Sequence, residues 1–127
     1  MNADVSRLNA ISERIIGCAF TVGNGLGHGF LEKVYENALA HELRKSGLVV
    51  VQQRGIDVRY DSVIVGEYVV DLLVDELVLV EIKTVRALDD VHSAQCLNYL
   101  KATGHHLCLL INFAKPRVEI RRIVLDL

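Results

Sequence analysis

The chain has 127 residues, which sets the expectation of one domain around one core, 1–127. Apolar residues make up 51% and charged residues 24%, proportions that exclude a disordered or coiled-coil chain. With 14 lysines and arginines against 16 acids, the net charge is −2. That balance argues against a protein that coats nucleic acid non-specifically, but not against an enzyme whose acids are neutralised by metal ions.

The longest unbroken apolar run is five residues, from Leu107 to Ile111. A membrane span needs roughly 18 or more, so no membrane partner is expected. Met1-Asn2-Ala3-Asp4 has neither a basic stretch nor an apolar run, and no signal peptide is expected there. The three cysteines, Cys18, Cys96 and Cys108, are widely separated, which fits reduced thiols in a cytoplasmic protein. No CxxC pair marks a zinc or iron–sulfur site.

In chain order, Val5, Leu8, Ile11, Ile15, Ile16, Ala19 and Val22 recur at spacings of three and four. They predict a helix over 4–22 with Asp4 as its cap. Gly23, Gly25, Gly27 and Gly29 then predict a flexible connector. It lacks the lysine and spacing of a phosphate-binding loop. A second helix is expected over 30–45, with Leu31, Val34, Tyr35, Ala38, Leu39 and Leu43 as its apolar face and Gly47 as its stop. Three β-branched stretches follow and predict strands over 49–60, 63–74 and 77–85. A third helix is expected over 90–102, capped by Asp89 or Asp90 and ended by Gly104. Strands over 107–112 and 118–125 close the chain around a turn at Ala114-Lys115-Pro116-Arg117. The order ααβββαββ predicts an α/β (α+β) fold, a mixed sheet flanked by helices.

Three charged residues interrupt this apolar pattern. Asp71 lies within Val69-Val70-Asp71-Leu72-Leu73-Val74, and Glu81 and Lys83 lie within Leu79-Val80-Glu81-Ile82-Lys83. Charges in buried strands cost several kcal/mol unless they are paired or bound to a metal. Two carboxylates and a backbone carbonyl suit Mg²⁺ or Mn²⁺. Glu81 and Lys83, two apart, share a strand face, where a lysine can hold or activate a water that attacks a phosphodiester. A purely structural ion pair, Asp71–Lys83 or Glu81–Lys83, is the alternative. On the third helix His92, Gln95 and Tyr99 share one face at i, i+3 and i+7. Sharing a metal requires Asp71 and Glu81 on one face of the hairpin. A three-residue loop, Asp75-Glu76-Leu77, pairs Asp71 with Glu81, whereas a two-residue turn pairs it with Val80. An odd loop or a bulge between them is therefore expected. The absence of Asn-Gly or Asp-Gly disfavours a primed turn.

Gly29-Phe30-Leu31-Glu32-Lys33-Val34-Tyr35 matches the GxxExxY motif. Asp71 with Glu81-Ile82-Lys83 looks like the PD-(D/E)XK signature, and Gln95-Cys96-Leu97-Asn98-Tyr99 looks like the QxxxY element of the RecB and λ-exonuclease-like branch. As an ordered set these resemble the GxxExxY family of the PD-(D/E)XK nuclease superfamily, from about Ile11 to Val124. Val70 stands where the signature has proline. The resemblance implies a restriction-endonuclease-like core and divalent-metal-dependent phosphodiester hydrolysis. It makes Asp71, Glu81 and the Ile82 carbonyl metal ligands and gives Lys83 the water. Glu32 becomes a helix-borne acid acting on the metal directly or through water, and Gln95 and Tyr99 orient the site. The implied cofactor is Mg²⁺ or Mn²⁺ and the implied substrate is DNA ahead of RNA. A non-catalytic nucleic-acid-binding or assembly module with the same fold, and a metal-dependent hydrolase of nucleotides, are the competing readings. A homodimer is expected because so small a core offers little surface to grip a duplex. Arg86 is a candidate phosphate contact. Arg44, Lys45, Lys101, Lys115, Arg117, Arg121 and Arg122 read as dispersed surface charge.

Overall fold

The structure is a computed structural model that describes residues 3–127. The described residues run α1 (Ala3–Leu26), α2 (Glu32–Lys45), β1 (Val50–Tyr60), β2 (Val63–Val74), β3 (Val78–Lys83), α3 (Asp90–Thr103), β4 (Leu107–Asn112) and β5 (Glu119–Val124). The strands form one mixed sheet in the order β1-β2-β3-β4-β5. Its pairs are antiparallel except β3–β4, which α3 joins as a parallel crossover. Among the described residues no helix is long and apolar enough to cross a membrane.

Apolar side chains cover both faces of the sheet. Leu72, Val80, Ile82, Leu109 and Ile111 meet Ile15, Ala19, Tyr35 and Leu39 of α1 and α2. Val70, Leu73, Leu79, Cys108 and Leu110 meet Cys96, Tyr99 and Leu100 of α3. The central strands β3 and β4 are buried on both faces, which is why their sequences read as continuous apolar runs rather than alternations.

The helix ends follow local chemistry. Asp89 accepts from the Val91 and His92 backbone N–H groups, and His92 Nδ1 accepts from the Asp89 N–H, forming a capping box. The His92 ring is thereby engaged in the cap of α3. Gly47 (φ 94°) ends α2. Its N–H bonds the Arg44 carbonyl and the Leu48 N–H bonds the Leu43 carbonyl, a Schellman closure. Arg121, expected on the open surface, instead holds the start of α3 through the Leu88 and Asp89 carbonyls and Ser93 Oγ.

The bounds of α1 and α2 differ from expectation. α1 begins at Ala3, so Asp4 lies in its first turn, and the helix continues through Gly23 and Gly25 to Leu26. Gly23 is required there because a Cβ would come within 2.5 Å of Val118 Cγ2. Tertiary approach, not flexibility, explains that glycine. α2 starts at Glu32 rather than residue 30, and it buries Glu36 while Leu31 stays 80% exposed.

Candidate active site

The site forms where β2 and β3 part. Their backbone ladder runs Val74↔Val78, Leu73↔Leu79 and Leu72↔Val80, so the loop spans Asp75-Glu76-Leu77 and the next facing pair is Asp71 and Glu81. Within that odd loop Asp75 (φ 51°) and Glu76 (φ 59°) both take positive φ, and Leu77 N–H bonds the Val74 carbonyl. This is primed-turn geometry without a glycine. The conformation disfavoured from composition therefore occurs, with one extra residue that restores the register.

At Asp71 side chains replace the ladder. The Asp71 N–H donates to Glu81 Oε1 at 2.9 Å, and the Ile82 N–H donates to Asp71 Oδ2 at 2.8 Å. A strand residue's N–H and C=O leave on the same side, so the Ile82 carbonyl opens toward this gap too. The strand itself is irregular here. Val70 and Leu72, two apart, lie in opposite core layers, although strict alternation would put them in one. β1 breaks at the same level: Gln53 (φ 54°) drops out of the pairing between Gln52↔Leu72 and Arg54↔Val70.

Gln53 and Glu36, absent from the sequence reading, meet at this break. Gln53 Nε2 donates to Glu36 Oε1 at 2.6 Å and to Asp71 Oδ1 at 3.2 Å. Glu36 is 3% exposed and also accepts from Gln52 Nε2 at 2.8 Å and Lys33 Nζ at 3.0 Å. Glu36 lies four residues after Glu32, one turn along the same helix face.

Lys83 Nζ lies 3.7 Å from Glu81 Oε2 and donates to Gln95 Oε1 at 3.3 Å. Asn112, fully buried, bonds both the N–H and the carbonyl of Val85, and the Phe113 N–H bonds the Lys83 carbonyl, so the end of β3 is pinned. Tyr99 is buried beside Glu81, and burial followed by that acid pushes its hydroxyl pKa well up. Glu32 starts α2 close to Asp71, Lys83 and the Thr84 backbone amide. Arg86 is exposed at the surface beyond Lys83. The six expected site residues, Glu32, Asp71, Glu81, Lys83, Gln95 and Tyr99, thus surround one gap.

The GxxExxY stretch also has a physical reading. Gly29 takes φ 112°, a conformation costly for any side chain. The fully buried Tyr35 donates its hydroxyl to the Gly27 carbonyl at 2.6 Å, accepts from the Phe30 N–H at 3.2 Å and stacks on Phe113 at 4.7 Å. These contacts fix the loop that delivers Glu32.

The carboxylates destabilise one another. Burial first, then Asp71, lifts Glu81 to about 7. Burial also raises Asp71, against the Ile82 N–H and Gln53, and raises Glu32, with Asp71 as the next cause. A divalent cation relieves such repulsion, and oxygen-only donors are what Mg²⁺ and Mn²⁺ take. The donor set fits as an acidic pair with a backbone carbonyl. Among the described residues no three His, Cys, Asp or Glu side chains already converge as a metal cage.

A parted β2–β3 hairpin, a parallel crossover through α3 and helices on both faces define the restriction-endonuclease-like class of α+β folds. The family description of the PD-(D/E)XK nuclease superfamily matches residues 9–123, and the chain belongs to that superfamily. It is similar in structure to an alkaline exonuclease from Laribacter hongkongensis, with a TM-score of 0.56 and 19% identity over 99% of this chain and 73% of that one. No curated protein matches it in sequence.

Proposed function

We propose that this protein is a divalent-metal-dependent nuclease that hydrolyses phosphodiester bonds, in DNA ahead of RNA, with Mg²⁺ or Mn²⁺. One observation carries the reading: Asp71 and Glu81 face each other across parted strands, with Lys83 3.7 Å from Glu81 and held by Gln95. A purely structural Glu81–Lys83 pair needs neither the second acid nor the opening. Asp71, Glu81 and the Ile82 carbonyl hold the ion, with Glu32 acting on it directly or through water. The bound ion supplies Lewis-acid polarisation and a more acidic water. Lys83 holds the attacking water and offsets the charge that develops on the phosphate. Gln95 and Tyr99 keep Lys83 and Glu81 in place, and Gln53, tied to Glu36, is a positioning residue for Asp71.

Within the superfamily we place the chain in the GxxExxY family on Gly29, Glu32 and Tyr35. We further assign it one domain over 1–127, a cytoplasmic location and a homodimeric state.

Titration of Mg²⁺ and Mn²⁺ against DNA, RNA and nucleotide substrates tests the reading. Metal-dependent cleavage of DNA is expected, abolished in Asp71→Asn and lowered roughly a hundredfold or more in Lys83→Ala. Cleavage by Lys83→Ala at the wild-type rate reduces Lys83 to a counter-ion. Metal-independent binding of DNA without cleavage replaces the nuclease with a binding module.

A further inference from the structure

A groove leads out of the gap along α3. Val91, Ala94, Asn98 and Lys101 form the exposed side of that helix, and the β1–β2 hairpin forms the opposite wall. Two adjoining concavities of about 350 Å³ each share Tyr68 and Asn98. The inner one is bounded by Gln95 and Tyr99, and Gln95 is the residue bonded to Lys83 Nζ. The outer one ends at Arg59 and Lys101. Tyr68 stands between them, 52% exposed, its ring 5.9 Å from that of the buried Tyr99 and tilted by 54°. Tyr99 thus supports one edge of the Tyr68 ring while half of its surface is open. Gly66, two residues earlier on the same strand face, has no side chain to cover it. Arg59 lies 4.0 Å from Asp57 Oδ2 with both side chains more than half exposed. Lys101 makes no hydrogen bond or ion pair with any described residue.

An open aromatic face, an amide beside it and two cations beyond it match an unpaired nucleotide: base on ring, base edge on amide, phosphate on cation. A base inside a duplex cannot take this place on Tyr68, because both of its faces are covered by its neighbours. We propose that this groove binds a single-stranded segment of the nucleic-acid substrate adjoining the scissile phosphate, with one base stacked on Tyr68 and the flanking phosphates on Arg59 and Lys101. The proposal rests on the nuclease reading for the position of the scissile phosphate.

The test is fluorescence anisotropy with a labelled single-stranded DNA oligonucleotide and its blunt duplex, in EDTA so that nothing is cleaved. Wild-type protein is expected to prefer the single strand. Tyr68→Ala should weaken that binding about tenfold while Tyr68→Phe stays within about twofold, since stacking uses the ring and not the hydroxyl. Lys101→Ala should lower the slope of log affinity against log salt. Equal binding by Tyr68→Ala and wild type, an equal loss in Tyr68→Phe and Tyr68→Ala, or a preference for duplex overturns the groove. Such a failure with metal-dependent cleavage intact removes the groove alone. Tyr68-dependent binding without any metal-dependent cleavage keeps the groove and removes the nuclease reading.

Discussion

Glu81 ties the stability of the metal-free protein to pH. Its pKa rises from an ordinary 4.5 to about 7 on folding, chiefly through burial. A raised carboxyl pKa means that the native state holds the proton more tightly, so stability falls as pH rises from about 4.5 to about 7. Glu81→Gln keeps an oxygen to accept from the Asp71 N–H and removes the buried charge. It also loses the Lys83 pair, but Lys83 ranks below burial and Asp71 among the influences on Glu81. In EDTA the variant is expected to be more stable than wild type by on the order of 2–3 kcal/mol at pH 8, and equal to it below the unfolded pKa. Urea denaturation across that range measures the difference. A constant difference between the two proteins at all pH values would remove the buried charge as its cause. Asp71, Glu81 and Lys83 were legible because charges stood out in apolar strands. Glu36 was not, because acids on helices are ordinarily solvated and only the folded helix shows three donors closing over this one.

At the level of elements, strand positions and the β2–β3 register followed from residue patterning plus the requirement that two acids share a face. What patterning does not carry is local backbone conformation. Nothing in Val50-Val51-Gln52-Gln53-Arg54 announces a left-handed glutamine, and the positive φ of Gln53 costs about 1 kcal/mol or more. The break in β1 and the face reversal at Asp71 occur together, so the strain at Gln53 accompanies the placement of Asp71. Stability and turnover should therefore separate. Gln53→Gly removes the strain while losing the same bonds, so it is expected to keep a urea midpoint above that of Gln53→Ala, yet to slow metal-dependent cleavage because Asp71 loses its amide. Gln53→Ala is expected to lower both, since it retains the positive φ and loses the bonds. Wild-type turnover in Gln53→Gly would strip Gln53 of its positioning role.

For the whole molecule, the site lies in the seam between the two core layers. α2 brings Glu32 and Glu36 from one side, α3 brings Gln95 and Tyr99 from the other, and the acids stand in the gap of the sheet. The layered order was legible from the succession of elements, because a helix between two parallel strands must cross over one face. How closely the layers approach was not, since contacts such as Gly23 against Val118 join residues far apart in sequence. A site shared by both layers links cation binding to global stability, because the unfolded chain does not bring its donors together. At a hundredfold excess over Kd, binding to the native state alone adds about 2.7 kcal/mol. For a chain of this length that corresponds to roughly 10 °C in Tm. Calorimetry at pH 8 is expected to show a Tm that climbs with Mn²⁺ concentration in wild type and hardly moves in Asp71→Asn. The same climb in Asp71→Asn would place the cation elsewhere on the protein and leave the acidic pair without a metal.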